Sequence, residues 1–207
     1  IGFAVTTSSV CVGARVGAVT DGCVVFSQAR TDPRLHLVGV KKWEETHDAK
    51  QTLTAMKDAA VALHWRQLGV LPMTGPARHF TGSSCMESSG GLAGQDCLAL
   101  GNFLGTDEVL PAMVQGFEGA SGHLAVRLMA GMRAGEAAGS ERDPLQSATV
   151  VVLGADSLKD VDLRIDSSTT PLQDLTELLT AWLPKAPAYR VRAIDPDSAE
   201  SSSIIEH

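Results

Sequence analysis

The first quarter of the chain is packed with short runs of small and β-branched residues, and these runs limit the fold more than any other feature. The runs Gly2–Thr6, Val10–Val19 and Cys23–Ser27 read as strands, with Gly13, Gly17 and Gly22 punctuating them. Asp21-Gly22 is a hairpin turn signal. Strands built from small side chains bury little surface alone, so they predict a sheet covered closely on both faces. The chain has 207 residues, 44% of them hydrophobic, enough for one medium domain with a sizeable core.

The rest of the chain alternates helices with further strands. Asp48, with Gln51 three residues on, predicts a helix start, and Leu53, Met56, Ala60 and Leu63 follow at helical spacing. Gln67–Leu71 reads as strand, Pro72–Pro76 as turn, and Arg78–Gly82 as a short strand. Ser83–Gly94 reads as loop, broken most clearly at Gly90-Gly91. Thr106 is the expected cap of a helix that turns Val109, Leu110, Met113 and Phe117 inward, and Asp107 and Glu108 suit its positive end. A further helix runs from Gly122 to Ala134, before a polar loop, Gly135–Pro144. Ser147–Leu153 is apolar almost throughout, hence a buried strand, and Val161–Ile165 alternates as a half-exposed one. Pro171 opens a helix lined by Leu172, Leu175, Leu179 and Trp182 and ended by Pro184. Tyr189–Ile194 reads as a final strand. This order is α+β, without repeated βαβ units. It predicts one domain, residues 1–197, and a polar tail, residues 198–207.

Charge and composition exclude several classes of function. Net charge is -7, Lys and Arg are scattered, and aromatics make up 4%. There is no basic stripe or stacking platform for nucleic acid and no polybasic patch or spanning run for a membrane. Cys11, Cys23, Cys85 and Cys97 form no CxxC pair and read as buried, reduced thiols of a cytoplasmic protein. The six histidines form no HxxxH or HxH pair, so no metal and no cofactor is expected. The serines at 83–89 lack a GxSxG elbow, and SSGG at 88–91 lacks the Lys of a phosphate loop.

Several segments, in order along nearly the whole chain, carry a family likeness. They are GFAVTTSSVCVGARVGAV at 2–19, SQARTDPRL at 27–35, WRQLGV at 65–70, FTGSSC at 80–85, GNFLGTDEVLPAMVQGFE at 101–118, QSATVVVLG at 146–154, VDLRID at 161–166 and RAIDP at 192–196. Together they resemble the bacterial family called domain of unknown function 1028, of the N-terminal-nucleophile (Ntn) hydrolase-like superfamily. The resemblance implies a four-layer αββα sandwich and a homodimer. It also implies a short strand and turn, roughly a dozen residues, upstream of Ile1, which stands here in mid-strand. In the superfamily the first residue, Thr, Ser or Cys, is the nucleophile and its α-amine, with an ordinary pKa of about 8, is the base. Ile1 has neither hydroxyl nor thiol, so the nucleophile is expected upstream of it.

The remaining site is then sought among residues present. Asn102, flanked by Gly101 and later Gly105, is the candidate oxyanion donor, or else it holds the turn before the next helix. Thr81 and Gly82 offer a hydroxyl and an open N–H, or a plain turn. Gln28 and Arg30 are candidates for binding a substrate carboxylate, unless Arg30 braces Asp32 instead. Thr7 and Ser8 lie where they can hold the nucleophile's amine, or are ordinary strand hydroxyls. The expected function is hydrolysis of a small amide, peptide-like or ureido substrate. A non-catalytic small-ligand-binding protein and a structural subunit are the alternatives.

Overall fold

The computed structural model of the chain describes residues 1–206. In chain order its strands and helices are β1 (Gly2–Thr7), β2 (Gly17–Thr20), β3 (Cys23–Ala29), α1 (Arg34–Thr46), α2 (Ala49–Ala59), β4 (Arg66–Pro72), β5 (Arg78–Thr81), β6 (Gly90–Gly94) and β7 (Cys97–Gly101). They continue as α3 (Val109–Gly119), α4 (Leu124–Ala137), β8 (Ser147–Leu153), β9 (Lys159–Ile165), α5 (Pro171–Trp182), α6 (Ala186–Ile194) and α7 (Ser202–Glu206). The architecture is α+β with antiparallel pairing throughout. One sheet has the order β1-β8-β9, a second β2-β3-β4-β5, and β6-β7 is a separate two-stranded ribbon.

Both faces of each larger sheet are covered, as the small residues of the first strands require. α1 and α2 bring Leu35, Trp43 and Met56 onto Val25, Leu68 and Val70. The other face of that sheet meets β1 and β8 through Val24, Phe3 and Val151, with the Phe3 and Phe26 rings edge to face at 5.1 Å. β8 alternates: Val151 points into that layer, while Ala148, Val150 and Val152 point the other way, toward α4 and α5. There Met129, Leu172 and Leu175 close the third layer of core, and each fully buried Leu contributes about 1.5–3 kcal/mol.

α3 and α4 approach almost backbone to backbone. A Cβ on Gly116 would lie 2.6 Å from the Ala134 Cβ, one on Gly131 would lie 2.9 Å from the Met113 carbonyl, and one on Gly135 would lie 2.6 Å from Met113 Cγ. Only glycine permits that separation at these three positions. Among the described residues no helix is long and apolar enough to cross a membrane.

Several elements depart from the sequence reading. The run Val10–Val19 is broken: Cys11 sits at φ 57°, Val12–Ala14 forms a 3₁₀ turn, and only Gly17–Thr20 is strand. α1 was not expected at all. Gly90-Gly91 opens β6 rather than breaking the chain: a Cβ on Gly91 would lie 2.7 Å from both His79 Nδ1 and Leu100 Cδ2, so the glycine permits a close approach. Thr106 does not cap α3; its hydroxyl donates to the Ala138 carbonyl, while Glu108 takes the cap position without a side-chain bond. Tyr189–Ile194 lies within α6, and the tail contains the short helix α7, with His207 outside the described residues. Asp48 does cap α2, accepting from the N–H groups of Lys50 and Gln51.

Candidate functional site

A cavity of about 1030 Å³ lies between the β1-β8-β9 sheet and the β6-β7 ribbon. Every residue from Ile1 to Thr7 lines one side, and Cys97–Asn102 line another. Phe26 and Leu71 of the second sheet form its roof, and Met113, Leu128 and Met132 of α3 and α4 its floor. Most of the lining is apolar. One group of polar side chains gathers where β1 and β3 finish and the chain leaves β7: there Thr7, Gln28, Asn102, Glu141 and Arg15 face the cavity.

The polar end is organised by Gln67, which is fully buried. Register places Gln28, Gln67 and Thr81 in one row across β3, β4 and β5. The Gln67 side chain uses the whole row. Its Nε2 donates to Thr81 Oγ1 at 2.9 Å, to the Gly101 carbonyl at 2.8 Å and to the Gly90 carbonyl at 3.0 Å. Its Oε1 accepts from Gln28 Nε2 at 2.6 Å and, at 3.4 Å, from Asn102 Nδ2. Gln67 thus ties the β6-β7 ribbon to the second sheet and aims two amides at the cavity. The bond to Asn102 is long, so most of that donor capacity remains for a ligand. Phe103, at φ 60°, turns the chain directly after Asn102.

Glu141 supplies the other side. An isolated bridge between Leu104 and Glu141 brings the loop after α4 alongside the Asn102 turn. One carboxylate oxygen, Oε2, accepts from the Ser8 N–H at 2.8 Å, Ser8 Oγ at 2.6 Å and Thr7 Oγ1 at 3.2 Å. Arg15 is committed locally, to the carbonyls of Val10 and Cys11 and to Ser9 Oγ.

The structure therefore gathers Asn102, Thr81 and Gln28 on one residue, and Thr7 and Ser8 on another. Arg30 stands apart. Ala29, at φ 66°, ends β3 and turns Arg30 outward, where its guanidinium stacks 3.7 Å above the Trp65 ring. Asp32 is braced by Arg34 instead, through bonds of 2.9 and 2.7 Å. The Gly82 N–H is also spent: it donates to the Arg66 carbonyl at 2.9 Å, and Gly82 packs against the backbone of Leu63 and His64. Neither Gly82, Thr81 nor Ser8 lines the cavity.

Gln67 and Glu141 were missed from the sequence. Gln67 had a signal, being the one polar residue in the apolar stretch QLGVLP. Glu141 had none, because a bridge between distant loops positions it. The cavity's cysteine, Cys97, is no activated thiol: burial, then the Glu118 charge, push its pKa up. Cys23, buried in the core, is pushed up to about 12 by burial. Among the described residues no three His, Cys, Asp or Glu side chains gather closely enough to hold a metal ion.

Residues 1–175 match the profile of a family of unknown function, DUF1028. A crystal structure of a Silicibacter pomeroyi protein bearing the same family label is similar, at 28% identity and a TM-score of 0.80, over 86% of this chain and 78% of that one. No curated protein matches. With its fold and most of its length accounted for in this way, the chain belongs to the DUF1028 family.

Proposed function

We propose that the chain forms the body of an Ntn-type amidohydrolase, a four-layer αββα sandwich acting on a small amide, peptide-like or ureido substrate. The observation that carries this reading is the polar end of the cavity, where the Gln28 and Asn102 amides, both held by Gln67, line the wall together with Thr7 and the Glu141 carboxylate that Thr7 bonds. Neutral amide donors held by a buried partner, at one end of a mostly apolar cavity, suit an oxyanion.

The nucleophile, a Thr, Ser or Cys, comes in this reading from a segment upstream of Ile1. Its Oγ or Sγ attacks the substrate carbonyl carbon while the α-amine takes the proton. The carbonyl oxygen becomes the oxyanion and accepts from Asn102 Nδ2. Collapse breaks the C–N bond, and the proton passes to the leaving nitrogen. Water, deprotonated by the same amine, then attacks the acyl carbon, the bond from that carbon to Oγ or Sγ breaks, and the amine's proton returns to the nucleophile as the acid leaves. Glu141 offers a counter-charge for that amine in its protonated state.

The test is amine or ammonia release from a panel of small amides and ureido compounds, using chain that carries an upstream Thr, Ser or Cys. Asn102→Ala is expected to lower kcat by about 100-fold or more, the scale for one lost oxyanion donor, with KM little changed. Equal turnover by the Asn102 variant, or none by the parent across the panel, removes this reading.

A further inference from the structure

We propose that Gln28 and Asn102 form a receptor for a terminal carbamoyl group, the CO–NH2 end of a primary carboxamide or a ureido compound. Gln67 fixes which way both amides face. Its Nε2 lies 2.8 Å from the Gly101 carbonyl oxygen and 3.0 Å from that of Gly90. Carbonyl oxygens only accept, so the NH2 end of Gln67 must face them and Oε1 must face the other way. That oxygen in turn admits only donors. Gln28 therefore turns its Nε2 to it, at 2.6 Å, and Asn102 its Nδ2, at 3.4 Å. A reversed amide at either residue would set oxygen against oxygen.

The unused half of each amide defines the ligand. Each keeps one further N–H and a carbonyl oxygen, Oε1 of Gln28 and Oδ1 of Asn102. Neither oxygen has a hydrogen-bond partner among the described residues. Neither is sealed in the interior, where the unpartnered side-chain atoms are Thr52 Oγ1 and Arg127 Nε. Both residues line the cavity. Two neutral groups tied to one buried oxygen thus offer donors and acceptors together. A carbamoyl group carries the same pair in reverse: its oxygen accepts an amide N–H, and its NH2 donates to Oε1 or Oδ1.

A carboxylate, the other planar end group of similar size, fits poorly. It brings no N–H, so Gln28 Oε1 and Asn102 Oδ1 would meet only oxygen. It would also share this end with the Glu141 carboxylate, which Thr7 and Ser8 hold in place. The arginines give it little help. Arg15 is bonded to Val10, Cys11 and Ser9, and Arg30 is stacked on Trp65 and does not line the cavity. A site built to bond an N–H rejects the analogue that lacks one, because its own polar groups are then left unpaired. Phe26, Leu71, Met113 and Leu128 leave much of the remaining wall apolar, which suits a neutral body behind the carbamoyl group. That this group also holds the bond that breaks rests on the amidohydrolase reading; its recognition does not.

The test is an NMR titration of the nitrogen-15-labelled protein with hexanamide, butylurea, hexanoate and N,N-dimethylhexanamide at neutral pH. Hexanamide and butylurea are expected to bind about 10-fold or more tightly than the other two. They are also expected to shift the side-chain NH2 resonances of Gln28 and Asn102. Gln28→Met keeps the length, removes donor and acceptor, and is expected to erase the preference. If that variant does not fold, the ranking of the four compounds and the NH2 shifts in the parent decide. Equal affinity for hexanamide and its dimethyl derivative overturns the proposal. So does hexanoate bound as tightly as hexanamide, a failure of both carbamoyl compounds to saturate, or a preference intact in Gln28→Met. Carbamoyl preference without ammonia release supports the receptor and removes only the hydrolase. Release of ammonia from hexanamide and of dimethylamine from its derivative at similar kcat/KM keeps the hydrolase and overturns the receptor.

Discussion

Gln67 makes more of the site than any residue that touches the cavity. Its side chain satisfies two carbonyls, a hydroxyl and two amides from inside a closed layer. Gln67→Leu keeps the size and removes every one of these bonds, leaving the buried Gly101 carbonyl without a side-chain partner. The expected cost is about 2–4 kcal/mol in urea unfolding, more than one ordinary hydrogen bond is worth. A loss below about 0.5 kcal/mol would mean that the row is ornamental. The same residue shows how far sequence reaches. Gln28, Thr81 and Asn102 drew attention individually, for their chemistry and their places at strand ends. What joins them is a cross-strand register, which becomes visible only when three strands are aligned.

At the scale of elements, legibility followed local signals. α2 and α5 carry their own caps or proline, and β8 is apolar except for Ser147 and Thr149, so all three were readable. α1 has no side-chain cap, and its buried positions Leu35, His36, Gly39 and Trp43 include a histidine and a glycine, which weaken the pattern. That glycine makes room for Met56, whose Sδ would lie 2.8 Å from a Cβ there. α6 looked like a strand because no residue of it is buried, so no helical stripe exists to be read. It is held from outside: Tyr189 stacks on Trp182 at 5.5 Å, and Arg190 pairs with Asp156 and Asp160. These ion pairs are partly exposed, so Arg190→Ala is expected to cost under about 1 kcal/mol globally. Amide exchange in α6 should nonetheless quicken several-fold while β8 and β9 stay unchanged. Unaltered exchange across 186–194 would show that the stacked rings alone hold the helix.

For the molecule as a whole, acid is the expected weakness, and two groups near α1 contribute to it. Burial pushes the His36 pKa below 6.5, with Nε2 accepting the Ser27 N–H at 3.1 Å. The folded state therefore refuses a proton that the unfolded state takes, and stability falls as pH drops below about 6.5. Asp32 is lowered from 3.8 to about 2, chiefly by its hydrogen bond with Arg34. Its contribution is complete above 3.8 and disappears as pH falls toward about 2. Urea midpoints measured from pH 8 down to about 2 should be level above 7, then decline in two stages. In His36→Gln the first stage should be absent, whatever that variant's stability at pH 8. A parent midpoint unchanged between pH 7 and pH 5 would contradict the assignment.

The glycine contact between α3 and α4 has a consequence for how such a chain tolerates sequence drift. Gly131 and Gly135 are wedged against Met113, and all three line the cavity floor. One added methyl group at either glycine must push the two helices apart or lift the floor. Substitutions at these chemically silent positions therefore alter the cavity's depth while every polar group stays in place. Lineages that differ only there would share the same polar end over cavities of different depth.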